Sequence, residues 1–234
     1  MKPLTPSFSM DPVVTENTKL LVLTCTSTGS RPAPTERIWL ISDSNVNITN
    51  SSSLVSSTLE SDGTFTATST LTYRVRKIYS QQNVTCAFKN TASVPTFIQK
   101  STKMNVQYAP IVTVLNKTFS LSGTLRHLNC ALDGNPLKGS FSKWQHKSKY
   151  GILIRELDGD STLIIPKQSE QIRYQDTGEY VCTVNNGIKD EDGNLNQRGS
   201  GYIISQAPPR FLNGSSQVKL GQYGKNVDID VSVY

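Results

Sequence analysis

The two histidines are the residues that would first suggest acid–base chemistry. His127 and His146 are the only histidines among the 234 residues. A serine-hydrolase triad needs a histidine held near a serine and a carboxylate, and no G-x-S-x-G segment accompanies either one. We interpret both as ordinary surface or strand-end histidines, and the sequence predicts neither an enzyme nor a small-molecule substrate.

The acidic run Asp190–Asn194 invites comparison with a calcium loop. An EF-hand needs glycine at its sixth position and glutamate at its twelfth. Counted from Asp190, those positions hold Leu195 and Gly201. We therefore predict no metal and no cofactor here, and interpret the run as a solvated loop. Exposed loops often carry binding residues, so the loop is also a contact candidate.

The cysteines are the remaining candidates for metal or redox chemistry. There are four of them, and none belongs to a C-x-x-C pair, which argues against zinc and thioredoxin-type sites. Four cysteines allow three disulfide connectivities. They are Cys25, Cys86, Cys130 and Cys182.

A repeat places these cysteines in two similar units. Trp39 follows Cys25 at the same spacing at which Trp144 follows Cys130, and the offset between the units is about 100 residues. Within each unit, short runs alternate apolar and polar residues with period two, and no helical period is convincing. The sequence therefore predicts an all-β chain with two complete units.

The run Arg37–Ile41 shows what this alternation implies. If Trp39 and Ile41 face the core, Ile38 and Leu40 must point out of the same sheet. Most exposed apolar side chains need no special explanation. We nevertheless predict that Ile38 and Leu40 are binding residues.

The segment Asp176–Cys182 carries the most specific motif, D-x-G-x-Y-x-C. Together with the Cys…Trp…Cys order it resembles the immunoglobulin superfamily, which implies tandem immunoglobulin-like β-sandwiches. The resemblance implies disulfides Cys25–Cys86 and Cys130–Cys182, on which Trp39 and Trp144 would pack. It also implies that Tyr180 lies in the core and bonds through its hydroxyl to an upstream backbone group.

The first unit departs from this motif. Val84 stands where the tyrosine would be, and the D-x-G element is missing. It resembles the constant-type domains of nectin-like and nephrin-like adhesion receptors, whereas the second unit resembles an intermediate or C2-type domain. We predict domains at 1–108 and 109–206, followed by the start of a truncated third domain at 207–234.

Five N-x-S/T sequons support a secreted or cell-surface setting. Together with the disulfides, they favour an extracellular chain. No stretch approaches 18 apolar residues, so any membrane span of a single-pass protein would lie outside this chain. The predicted glycosylation sites are Asn47, Asn50, Asn83, Asn116 and Asn213.

The net charge of +6 includes a basic stretch in the second unit. We interpret this stretch as a solvated strand face, with a docking patch for an acidic polysaccharide or an acidic partner as the alternative. We expect no nucleic-acid partner. The stretch comprises Lys138, Lys143, Lys147, Lys149 and Arg155.

The sequence therefore predicts an extracellular fragment of a cell-surface adhesion or recognition receptor that binds a homophilic or heterophilic protein partner. Fold alone does not determine function. Two alternatives stay open: the ligand-binding ectodomain of an enzyme-linked receptor, and a secreted immune-recognition protein.

Overall fold

The computed structural model describes residues 1–9, 13–16, 20–120, 125–169 and 172–206. The predicted third domain and the sequon at Asn213 lie outside these residues. The described chain forms two compact units, one built around Met1–Val112 and the other around Thr113–Ala131 and Ser142–Cys182. Within it the regular elements are β-strands and short 3-10 turns, so the all-β prediction is confirmed. No helix of the described residues is long and apolar enough to cross a membrane.

The first sandwich, as we call the unit around Cys25, consists of two antiparallel four-stranded sheets with the orders β1-β3-β7-β6 and β5-β4-β8-β9. A short strand, β2, pairs in parallel with the first residues of β10. The strands are β1 (Ser7–Phe8), β2 (Val13–Thr15), β3 (Leu21–Ser30), β4 (Glu36–Ile41), β5 (Val46–Asn47), β6 (Ser56–Leu59), β7 (Phe65–Tyr73), β8 (Asn83–Lys89), β9 (Ile98–Lys103) and β10 (Asn105–Val114).

The core of the first sandwich lies between its two sheets. The disulfide Cys25–Cys86 joins β3 of one sheet to β8 of the other. Trp39 is fully buried, and its indole nitrogen donates to the Ser69 hydroxyl at 3.1 Å. That partner matters because a buried indole N–H without one would carry a desolvation penalty.

The second sandwich, around Cys130, has a sheet of order β11-β18-β17-β14-β15, with β13 pairing to β17. Facing it, β12 pairs with β16. Its strands are β11 (Lys117–Phe119), β12 (Arg126–Asn135), β13 (Ser140–Phe141), β14 (Trp144–Lys147), β15 (Leu153–Leu157), β16 (Thr162–Ile165), β17 (Gly178–Asn185) and β18 (Gln197–Ser205).

A disulfide and a tryptophan also define this second core. Cys130 on β12 bonds to Cys182 on β17, and Trp144 is fully buried, with its indole nitrogen donating to the carbonyl oxygen of Asp160 at 3.0 Å. Both predicted disulfide pairings are thus confirmed. Removing either bridge is expected to cost about 2–5 kcal/mol.

Candidate protein-binding face

The outer face of strand β4 is the candidate binding site. Trp39 and Ile41 are fully buried against the core. Ile38 and Leu40 are half-buried and alternate with them. Because successive side chains of a strand point to opposite sides of its sheet, Ile38 and Leu40 lie on the side away from the core.

Small and hydroxyl-bearing residues lie beside this apolar pair. On β8, Ala87 is the partner of Ile38, and Thr85 is the partner of Leu40. Ala87 and Thr85 are both buried. The Thr85 hydroxyl lies 2.7 Å from that of Ser101 on β9, so its polar group has a partner. Ile38 and Leu40 therefore lie opposite two uncharged residues, and on the same side of the sheet they are bordered by the ion pair between Lys89 and Glu36, whose Nζ and Oε2 atoms are 2.8 Å apart.

A sequon lies on the same face. Asn47 on β5 is directly opposite Leu40, and directly opposed residues of an antiparallel pair have Cβ atoms about 4.5–5.5 Å apart. Asn47 is exposed, and its Oδ1 accepts a hydrogen bond from the Thr49 backbone at 3.0 Å. The Thr49 hydroxyl in turn accepts from the Trp39 backbone nitrogen at 3.0 Å. A glycan on Asn47 would begin beside Leu40.

The other described sequons occupy different settings. Asn83 is half-buried, and its backbone nitrogen donates to the Asp43 carboxylate at 2.8 Å. Asn50 is exposed in a 3-10 turn. Asn116 is exposed, and its Oδ1 accepts from the backbone nitrogen of Tyr202 at 2.7 Å. Their glycosylation stays a prediction.

The second sandwich contains a buried carboxylate that is paired with two arginines. The Asp176 side chain is 2% exposed and accepts from Arg126 and Arg155, each at 2.7 Å. The Tyr180 hydroxyl donates to the backbone oxygen of Asp176 at 2.9 Å. We call Asp176, Arg126, Arg155, Tyr180 and His146 the Asp176 network. The sequence motif contained the aspartate but did not identify its two basic partners.

His146 belongs to this network, so the interpretation of it as a surface or strand-end residue was wrong. It is fully buried because it lies two residues after Trp144 on β14 and shares its inward side. Its ring stacks on Tyr180 with centroids 4.3 Å apart. Nε2 lies 3.2 Å from the Thr177 carbonyl oxygen, and Nδ1 accepts from Arg155 at 3.2 Å. Burial lowers the pKa of His146 below its ordinary value.

The glycine of the motif has a steric role beside this histidine. A Cβ atom on Gly178 would lie 2.4 Å from the backbone oxygen of Lys147 and 2.5 Å from His146 Nε2.

Burial raises the pKa of Tyr180 to about 12, so its hydroxyl keeps its proton at neutral pH. The other histidine, His127, is half-buried on β12.

The basic stretch does not act as one cationic surface. Arg155 is half-buried and donates to Asp176, so for this residue the interpretation as part of a solvated strand face was wrong, and Arg155 is not available to the alternative docking patch. Lys143 is exposed, as strand alternation predicts, and lies 3.3 Å from the exposed Asp158. The basic stretch therefore has fewer exposed cationic side chains than the sequence indicates, which weakens the case for an acidic-polysaccharide site.

The Asp190–Asn194 segment is an exposed turn between β17 and β18. The Asp190 carboxylate accepts from the backbone nitrogens of Asp192 at 3.1 Å and Asn194 at 2.7 Å. The Asn194 bond lowers the pKa of Asp190. Within the described ranges, no group of three or more His, Cys, Asp or Glu residues is placed to hold a metal ion.

An exposed apolar segment was missed by the sequence analysis. Tyr150 and Ile152 in the β14–β15 turn are exposed, and so are Leu153 and Ile154 at the start of β15. The uninterrupted run Ile152–Ile154 after a glycine is the signal that could have identified it. Contiguous exposed apolar side chains can mark an interaction site.

Comparison with known proteins agrees with this geometry. Residues 9–94 match the model of the CD80-like C2-set immunoglobulin domain. The resemblance to the immunoglobulin superfamily is therefore confirmed, and the described chain consists of tandem immunoglobulin-like domains.

Among the similar proteins are adhesion molecules. Cell adhesion molecule 3 of Xenopus laevis is 25% identical over 170 residues, which are 71% of this chain and 40% of that protein. The chain thus spans less than half of that relative's length. The full ectodomain of mouse nectin-like molecule 4 (Ig1–Ig3) superposes with a TM-score of 0.62 at 20% identity, covering 93% of this chain and 67% of that one.

Proposed function

We propose that this chain is part of the ectodomain of an adhesion or recognition receptor that binds a protein partner through the outer face of β4. The observation that carries the proposal is the placement of Ile38 and Leu40. They are half-buried and face away from the core, opposite the uncharged Ala87 and Thr85, and the Glu36–Lys89 ion pair borders them at one end. An apolar center bordered by polar groups is the usual arrangement of a protein–protein interface.

The comparisons support the class of function. One relative is a cell adhesion molecule and the other a nectin-like molecule, whose ectodomain shares this fold. Adhesion would place the chain outside the cell, on a membrane-anchored receptor or a secreted protein. The disulfides and sequons are typical of that compartment.

The partner is another protein, either a second copy of this receptor or a different surface molecule. The two rival functions, an enzyme-linked receptor and a secreted immune-recognition protein, use the same kind of domain. The full-length coding sequence separates the three, because it shows whether a membrane span or a catalytic domain accompanies these domains.

Leu40→Asp tests the proposal. A charge at the center of the face should weaken self-association or partner binding by about 1.5–3 kcal/mol, which is at least tenfold in Kd. The thermal melt of the first sandwich should stay unchanged. Bead aggregation measures the first effect and calorimetry the second. Both are repeated in an Asn47→Gln background, because a glycan opposite Leu40 would otherwise mask the result.

Val22→Asp is the matched control. Val22 is exposed on β3 of the other sheet, so the same charge there should leave aggregation intact. A sharp fall in melting temperature for Leu40→Asp would show that Leu40 packs in the core. Unchanged melting and aggregation would exclude the β4 face, and the Asp190–Asn194 turn would become the next candidate.

A further inference from the structure

A polar groove in the second sandwich begins at a sequon. Its volume is about 350 Å³, at the low end of the roughly 300–1,000 Å³ found for small-ligand clefts. It runs from the residue before β11, over β18 and β17, to the β14–β15 turn. The lining residues are Asn116, Ser148, Lys149, Glu179, Ser200, Gly201 and Tyr202.

The Asn116 side chain is held at the rim of this groove. Its Oδ1 accepts from the Tyr202 backbone nitrogen at 2.7 Å, so its Nδ2 is the atom left to carry a substituent. Gly201 makes this close approach possible. A Cβ atom there would lie 2.7 Å from Val114 Cγ1 and 3.0 Å from the backbone oxygen of Leu115. The segment carrying Asn116 can therefore lie directly against β18.

The groove walls suit a sugar. Two serines, Lys149 and Glu179 line the groove, and their side chains carry donors and acceptors for ring hydroxyls. Tyr202 also lines it and alternates with the buried Gly201 and Ile203, so its half-buried side chain lies on the outer side of β18. Its ring offers an apolar surface with a polar tip, on which the C–H groups of a pyranose can pack.

We infer that Asn116 carries an N-linked glycan whose first N-acetylglucosamine units lie in this groove. In the transfer step, Asn116 Nδ2 loses a proton and forms a bond to C1 of the reducing-end sugar. The C1–oxygen bond to the lipid pyrophosphate carrier breaks, the lipid pyrophosphate leaves with the electron pair of that bond, and the proton from Nδ2 passes to the solvent. Because this chemistry requires passage through the secretory pathway, the inference rests on the extracellular setting of the proposed function.

The docked glycan would cover part of the outer face of the second sandwich's larger sheet. A protein partner could not reach the outward side chains of Glu179 and Tyr202. The glycan would therefore shield this surface of the second sandwich, and a protein partner would bind to other surfaces.

The test uses the whole chain secreted from animal cells that make oligomannose glycans. The native protein is treated with an endoglycosidase that cuts between the first two N-acetylglucosamine units, and site-resolved mass spectrometry follows each sequon over time. We expect release at Asn116 to be about tenfold slower than at the exposed Asn47, which corresponds to about 1.4 kcal/mol of docking.

Variants separate docking from local structure. Tyr202→Ala keeps the backbone donor to Asn116 but removes the ring, and should raise release at Asn116 to the rate at Asn47. Ile204→Ala is the matched control, because Ile204 is exposed on the same strand and does not line the groove. If the alanine variant melts early, Tyr202→Leu replaces it, because leucine keeps apolar bulk on β18 but removes the flat ring, and it should raise release at Asn116 in the same way. Thr118→Ser should keep occupancy, whereas Thr118→Ala should abolish it.

An unglycosylated Asn116 would overturn the inference, as would release at Asn116 as fast as at Asn47. Protection that survives Tyr202→Ala would also overturn it. These failures are distinct from failure of the proposed function, which is decided by Leu40→Asp and does not depend on the second sandwich. Absence of glycans at every sequon would instead contradict the extracellular setting of both.

Discussion

The two sandwiches share a disulfide and a buried tryptophan but differ in what lies two residues before the second cysteine. In the first, Val84 is fully buried in an apolar cluster that includes Val75 and Met104. In the second, the same position is Tyr180, bonded to the backbone of Asp176. The two sandwiches therefore share a fold but stabilise this region differently, the first by apolar packing and the second by a buried ionic network.

This difference has an energetic consequence. Burying charges carries a large desolvation cost, which is offset only by good geometry and full pairing, whereas apolar packing has no such requirement. Loss of one charged partner of the Asp176 network should therefore cost more than loss of a comparable apolar group, and the second sandwich should be more sensitive to pH than the first.

Asp176→Asn should have the largest effect. It keeps the shape of the side chain but leaves the buried Arg126 charge uncompensated, which should destabilise the second sandwich by about 3–5 kcal/mol. Denaturant unfolding with domain-resolved hydrogen exchange measures this loss. Asp158→Asn, at an exposed ion pair, is the control and should cost no more than about 1 kcal/mol. A loss below 1 kcal/mol for Asp176→Asn would show that the network is dispensable.

Val84→Ala should rank second and should act on the first sandwich alone. Removing part of a fully buried side chain should cost about 1.5–3 kcal/mol. Because no titrating group is removed, the loss should be the same at pH 5 and pH 7.5 in matched unfolding curves. A loss that varies with pH would mean that the packing around Val84 also depends on a charged group.

Tyr180→Phe should be milder. It removes one hydrogen bond to the Asp176 backbone and keeps the ring stacked on His146, so we expect about 0.5–1.5 kcal/mol. Equilibrium unfolding of the second sandwich measures this loss. A cost as large as that of Asp176→Asn would show that the hydroxyl organises the whole network.

The pH dependence should be the smallest of these effects. Burial lowers the folded-state pKa of His146, so the unfolded chain binds the proton more readily. Stability should therefore be fully present above the unfolded value near 6.5 and should decline as pH falls from there toward the folded value. His146→Gln should reduce this slope in melts of the second sandwich and should leave the pH dependence of the first sandwich unchanged. A slope in the second sandwich that His146→Gln does not change would assign the pH dependence to other groups.

The sequence predicts the parts of this fold that depend on local order. Alternation in Arg37–Ile41 was enough to place Ile38 and Leu40 on the outer side of β4. The repeated Cys…Trp…Cys order led to the family resemblance that implied the correct disulfides. The environment of His146 was missed although the same alternation applies to it, because its polarity suggested a surface position. The available signal was that His146 lies two residues after Trp144 and therefore on the same side of β14.

Other features depend on sheet register and could not be read from the chain. Arg126 and Arg155 reach Asp176 only because β12 and β15 are placed on either side of it. Likewise, Asn47 becomes the neighbour of Leu40 only through the pairing of β5 with β4. No local pattern in the sequence specifies either contact.

The crowding around Gly178 bears on how these two domains can diverge over time. A side chain at Gly178 would collide with His146 and with the backbone oxygen of Lys147. A change at one of these positions requires compensation at others, so we expect drift there to proceed through coupled substitutions. Val84, set among apolar neighbours, can be exchanged one residue at a time. Single substitutions should therefore be tolerated less often in the Asp176–Cys182 motif of the second domain than at Val84 in the first.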